Sequence, residues 1–142
     1  MSGWRIDALQ EVVCVTEKRV IQAATAPPAN ALFSQGIEAG GFTFIAQVGL
    51  SASGELVSER IEEQTRQCLE NIRAVLAGAG ASLADVVQMT IYLIDLADAP
   101  AMNEVYASFF PAEPPSRACV EVASLGSGVR IEMQAIAYRS PR

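Results

Sequence analysis

Apolar or small side chains recur at three- and four-residue spacing from Ser58 to Ala79, at Ile61, Thr65, Cys68, Leu69, Ile72, Val75, Leu76 and Ala79. That period marks one face of a helix, with Ser58 placed to cap its start and Gly80 to stop its end. A second, shorter helical face runs through Met102, Val105, Tyr106, Phe109 and Phe110, behind Asp98 as N-cap and Pro100 in the first turn, and ends before Pro111. Elsewhere the period changes. Residues 42 to 49 follow a glycine turn, are rich in aromatic and β-branched side chains and close on "SASGEL", as a strand does. Residues 86 to 95 are apolar on both faces, the mark of a strand inside a sheet. Residues 117 to 123 and 129 to 138 alternate strictly about a "GSG" turn, and a first strand is expected over 11 to 22, before the irregular "ATAPPANAL". The order β, β, α, β, α, β, β reads as an α+β sheet with both helices packed on one face.

Alternation also assigns faces. Arg117, Cys119 and Glu121 share one side of their strand, and Ala118, Val120 and Val122 take the other, expected to be core. In the last strand Val129, Ile131, Met133 and Ala135 oppose Arg130, Glu132, Gln134 and Ile136. Arg117 and Glu132 are therefore expected on a common side of the sheet.

Composition narrows the chemistry. At 142 residues the chain fits one domain able to bury an ordinary core, and 51% apolar against 18% charged residues suggests apolar surface that a partner covers. A net charge of −6 repels phosphate backbones and anionic membranes, so neither nucleic acid nor membrane is expected as a partner. Cys14, Cys68 and Cys119 lack paired or zinc-binding spacing, and the N-terminus lacks an uninterrupted apolar run, which together point to a reducing, cytoplasmic setting. With no histidine, acid-base chemistry falls to carboxylates, tyrosines, cysteines or water.

Arg117 reads either as a solvated strand-end cation or as a planar fork for a carboxylate, and Glu132 either as a surface acid or as a group that orients water. Cys119 has no histidine to activate it and is read as pocket wall. Asn103, near the start of the second helix, carries no signal in its spacing, and no glycine cluster forms a phosphate loop.

In "FSQGIEAGGFTFIAQVGL", "QTRQCLENIRAVLAGAGASLADVVQMTIYLID", "MNEVYASFF" and above all "PPSRACVEVASLGSGVRIEMQAIAY", the chain resembles the reactive intermediate deaminases of the RidA/YjgF type, also called L-PSP endoribonucleases or translation initiation inhibitors. The resemblance begins near Lys18 and leaves the first 17 residues outside, their role open. It implies a chorismate-mutase-like α+β subunit that forms a homotrimer with a ligand cleft at each subunit boundary. It further implies hydrolysis of 2-imino acids, with their enamine tautomers, to 2-keto acids and ammonia, without metal or cofactor. By the same resemblance Arg117 clasps the substrate carboxylate, Glu132 positions the attacking water, and Asn103 and Cys119 lie in or beside the pocket. Three pocket positions depart from the familiar pattern: Phe33 replaces a tyrosine, Ile45 a small hydroxyl residue and Ala46 a glycine. A more apolar wall, and a preference moved toward bulkier or more apolar acids, is the expectation they raise. The alternative from another class is a non-catalytic trimer that binds a small carboxylate as sensor or carrier. Ribonuclease or translational inhibition follows only from the older family names, against the charge.

Overall fold

The computed structural model describes residues 17–140, so the part of the first expected strand before residue 17, and Cys14 with it, lies outside them. Six strands form one sheet: β1 (Arg19–Ile21), β2 (Gly36–Ala39), β3 (Phe42–Val48), β4 (Val86–Leu93), β5 (Ser116–Glu121) and β6 (Ile131–Tyr138). Two helices, α1 (Ile61–Gly78) and α2 (Ala99–Phe109), complete a mixed α+β fold. The spatial order is β1-β2-β3-β6-β4-β5, antiparallel except for the β4–β5 pair, whose crossover contains α2. β4 is interior, as its apolar faces require.

β2 is the element the sequence pattern does not give. It is four residues long and is joined to β3 by Gly40 and Gly41, both with positive φ (58° and 86°), in a tight two-residue turn. The expected glycine turn is there, but it closes a hairpin instead of only opening a strand.

α1 is shorter than expected at its start. Arg60, in extended backbone, holds the N-cap position without a side-chain cap, and Ser58 Oγ accepts only the Arg60 N–H (3.0 Å). At the other end Gly80 (φ 69°) does stop the helix: its N–H and that of Ala81 donate to the carbonyls of Ala77 and Leu76, which closes a Schellman turn. At α2 the correction is chemical. Asp98 caps nothing, because its carboxylate takes two hydrogen bonds from Arg130 Nη2 (2.8 and 2.7 Å), while Asp95 caps the preceding turn through Ala97 N–H.

Sheet register sets which residues meet the helices. Thr43, Ile45 and Gln47 stand opposite Ala137, Ala135 and Met133, and Met89, Ile91 and Leu93 stand opposite Ala135, Met133 and Ile131. All are buried, forming a core with the α1 stripe of Cys68, Leu69, Ile72, Val75 and Leu76. The same face of α1 also buries polar groups. Asn71 Nδ2 donates to the carbonyls of Val48 and Leu50, and Gln64 Nε2 to those of Ser58 and Gly128, while its Oε1 accepts from Arg130 N–H. These amides tie the loops at the ends of β3 and β6 to the helix where no strand pairing can.

The other face of the sheet is open and apolar. Phe42 and Tyr138 pack ring to ring at 4.9 Å, and Phe44 remains 45% exposed beside them. Ala118 and Val120, expected in the core, project from this open face and are exposed, because β5 is an edge strand whose parallel register aligns its other side with the buried row of β4.

Candidate active site

Arg117 begins on that edge strand. Its register partner is Met89, so its side chain leaves the sheet on the helix side, as do Cys119 opposite Ile91 and Glu121 opposite Leu93. There α2 receives it. Arg117 Nη1 donates to Asn103 Oδ1 (2.8 Å), and the guanidinium carbon lies 4.8 Å from the centre of the Tyr106 ring. A cation stacked on a ring face while one edge is held by an amide oxygen has its plane fixed, with donors left over. Among the described residues no carboxylate stands within ion-pair distance of it, whereas Arg130 is bound on both oxygens of Asp98. Arg117 is thus an oriented, exposed fork in want of an anion.

Cys119, two residues on, is partly buried, and burial pushes its thiol pKa up while the Arg117 charge opposes the shift. It stays protonated at neutral pH, which suits a wall better than a nucleophile. Burial likewise raises the Tyr106 phenol, again against Arg117.

Glu132 lies elsewhere. Its register partners are Val48 and Tyr92, and it alternates with the buried Ile131 and Met133, so its carboxylate leaves the sheet on the open face. The expectation that Arg117 and Glu132 share a side of the sheet is wrong for one chain: the parallel β4–β5 register turns Arg117 toward α2, while the antiparallel pairing of β6 turns Glu132 away from the helices. Glu132 instead lines a cavity of about 540 Å³ with Pro27, Pro28, Phe33, Ala46, Val48 and Leu50, and is its one charged residue. Phe33 and Ala46 therefore accompany Glu132, and Asn103 and Cys119 accompany Arg117. Ile45 accompanies neither. It is buried against the helices, 4% exposed, so its side chain fills the core and not the cavity wall.

Pattern reasoning missed Tyr106, the Pro27–Pro28 pair and Gln35. Tyr106 looks like one more apolar position of α2, and nothing in its spacing marks it as the platform for a cation. Pro27 and Pro28 look like loop punctuation. Gln35, the third, is buried and fixes their segment: Oε1 accepts from Ala23 N–H (2.7 Å), and Nε2 donates to the carbonyls of Ala23, Ala26 and Pro27 (3.1, 3.3 and 2.6 Å).

The family profile of endoribonuclease L-PSP matches residues 23–139, a span that takes in both half-sites. The chain belongs to the endoribonuclease L-PSP family. Among relatives in this family, a RutC family protein of Pyrococcus horikoshii is 48% identical over 124 residues, covering 86% of this chain and 98% of that protein. The human 2-iminobutanoate/2-iminopropanoate deaminase is 37% identical over 126 residues, 87% of this chain and 92% of the other. The crystal structure of Escherichia coli TdcF with bound serine matches with a TM-score of 0.81 at 37% identity, over 86% of this chain and 99% of that one. The L-PSP family thus includes proteins named as deaminases of reactive intermediates and others named differently. Among the described residues of this member, no helix is long and apolar enough to cross a membrane.

Proposed function

We propose that this protein hydrolyses 2-imino acids, and the enamines that tautomerise to them, to 2-keto acids and ammonia in clefts between the subunits of a homotrimer. The observation that carries the reading is the division of the site: an oriented arginine without a counter-ion lies on the helix side of the edge strand, and a carboxylate beside an apolar cavity lies on the open face. Neither half suffices alone. If the helix-side edge of one copy meets the open face of the next, the contact is heterologous, and a threefold rotation between copies closes it into a ring. The exposed Phe42, Phe44, Val120 and Tyr138 supply apolar surface for that closure.

In the cleft Arg117 of one copy, held by Asn103 and Tyr106, grips the substrate carboxylate through two hydrogen bonds. Glu132 of the neighbouring copy accepts a proton from a water as its oxygen bonds to C2, and the C=N π electrons move onto nitrogen. That proton then passes to the nitrogen of the carbinolamine. Glu132 then takes the hydroxyl proton and passes it to the same nitrogen, the O–H electron pair closes the C2=O bond, the C–N bond breaks and ammonia leaves, so the water oxygen stays on C2 as a ketone. Positioning accounts for the acceleration, because imines already react with water unaided. No metal or cofactor is called for in this scheme, and the name of the human relative supports the reaction class. The ribonuclease named in the family description finds little physical support in a chain of net charge −6 with no histidine.

The test is subunit complementation. Arg117→Ala and Glu132→Gln proteins are each expected to lose imine hydrolysis at unchanged mass. When they are unfolded together in equal amounts and reassembled, about a quarter of wild-type activity should return, since random mixing pairs an intact arginine with an intact neighbouring glutamate at one boundary in about four. No recovery, with mixed assemblies demonstrated, would count against a shared cleft. A preparation that binds 2-keto acids through Arg117 yet hydrolyses nothing would favour the carrier.

A further inference from the structure

Not all of the open face is apolar. β6 turns Glu132 and Gln134 outward there, and its antiparallel register with β4 sets Tyr92 opposite Glu132 and Thr90 opposite Gln134. Tyr92 and Gln134 are joined on the diagonal: the Tyr92 hydroxyl donates to Gln134 Oε1 at 2.6 Å. Diagonal neighbours on paired strands lie about 7–8 Å apart, a gap that a tyrosine ring spans. Gln134 also lines a cavity of about 310 Å³ together with Gln88 and Thr90, and Ser34 and Ala46 border both this cavity and the one at Glu132. Its amides and hydroxyls suit water. Among the described residues no cation stands within ion-pair distance of Glu132, so its carboxylate is free to take a hydrogen from such a water.

The Tyr92–Gln134 bond fixes the polarity of the phenol. A phenol has one proton, and this one is committed to an amide oxygen that can only accept, which leaves lone pairs alone on the outward side of Tyr92 Oη. That polarity matters to a water about to attack carbon. Its reacting lone pair must point at C2 free of any donor, so both of its hydrogens have to be held by acceptors. Glu132 is one. We propose that Tyr92 Oη is the other, so that Glu132 and Tyr92 of one copy hold the nucleophilic water by its two hydrogens, with Gln134 as the positioning residue that keeps the phenol an acceptor. This rests on the hydrolase reading and adds a catalytic residue to it. As the water oxygen bonds to C2 and the C=N π electrons move onto nitrogen, the hydrogen on Glu132 transfers as a proton, and the hydrogen on Tyr92 stays behind as that of the carbinolamine hydroxyl. The phenol keeps its own proton on Gln134 throughout. Without Gln134 to accept it, that proton turns to the carboxylate of Glu132 or to the lone pair of the water, and either arrangement opposes attack.

The experiment is steady-state hydrolysis of one imine, made in place from leucine by an L-amino-acid oxidase with catalase, with semicarbazide trapping whatever the protein does not divert and kcat taken per assembled protein. Tyr92→Phe keeps the ring and its packing and loses only the oxygen. It is expected to lower kcat at least about tenfold, while KM, set by the Arg117 grip, stays within about twofold. Gln134→Leu should lower kcat at least about fivefold. Gln134→Glu, whose carboxylate still accepts the phenol proton, should hold kcat within about threefold of wild type. In the Tyr92→Phe background Gln134→Leu should have no further effect, because it acts only through the phenol. A Tyr92→Phe kcat within about twofold of wild type, a loss that falls on KM instead, or a Gln134→Leu effect of equal size in both backgrounds overturns the proposal. A wild type that hydrolyses no imine removes the hydrolase reading and this proposal together, whereas a working wild type indifferent to Tyr92→Phe removes this one alone.

Discussion

Tyr106 is buried, its ring face carries the Arg117 guanidinium, and its ring centre lies 4.7 Å from that of Phe110. Its hydroxyl has no hydrogen-bond partner among the described residues, so the ring and not the oxygen is what the arginine uses. Tyr106→Phe should therefore leave the KM for imino acid within about twofold, while Tyr106→Leu, which removes the π face, should raise KM about tenfold with a smaller change in kcat. Steady-state kinetics separate the two, and a kcat collapse in Tyr106→Phe would instead assign the hydroxyl a part in the reaction. Alternation shows that Arg117, Cys119 and Glu121 share a face, and they do. It does not show which face, because that depends on the register of β5 against β4, formed across a crossover whose geometry no local pattern carries. For the same reason Ala118 and Val120, apolar enough for any core, end on the open side.

At the scale of elements, α1 lies unusually close to the end of β3. A Cβ on Gly49 would stand 2.7 Å from the Gln64 Cα and 2.9 Å from its carbonyl oxygen, which are helix backbone and cannot rotate away. The Asn71 and Cys68 hydrogen bonds to the β3 carbonyls span the same gap. Gly49→Ala should cost about 1–3 kcal/mol, read as a lower urea midpoint at unchanged slope. A variant as stable as wild type would mean that the helix shifts freely. The two helices and five of the six strands fall in segments that the sequence pattern marks. β2 is not marked, since four residues are too few for alternation to register, and neither are the buried amides of Gln64 and Asn71, which interrupt an apolar stripe without changing its period. Only the start of α1 was hidden, because Ser58 is a good capping residue whose hydroxyl takes the Arg60 N–H just ahead of the helix; at α2 the start behind Asp98 was legible and the partner of its carboxylate was not.

For the molecule as a whole, the fully buried Cys68 links stability to pH. Burial pushes its thiol far above the ordinary value near 9, so at alkaline pH the native state holds a proton that the unfolded chain has released. The native state binding more protons, stability is intact below about pH 9 and falls as pH rises beyond it, with the raised Tyr106 phenol adding to the decline at higher pH. Thermal midpoints measured from pH 8 to 11 should drop less steeply in Cys68→Ala than in wild type, whatever the starting value of each; parallel curves would contradict this. The site as a whole was only half legible. The residue types were in plain view, but the chain separates Arg117 from Glu132 by the thickness of its own sheet, and alternation within a strand does not encode which side of the sheet its register selects. The edge strand adds a liability. β5 carries unpaired backbone groups along one side, and beyond β4 the open face of the sheet exposes the rings of Phe42, Phe44 and Tyr138 on β3 and β6. If further copies cover this face as proposed, lone protomers should clump, and substitutions weakening self-recognition should turn up in the insoluble fraction of the cell instead of as well-behaved single subunits.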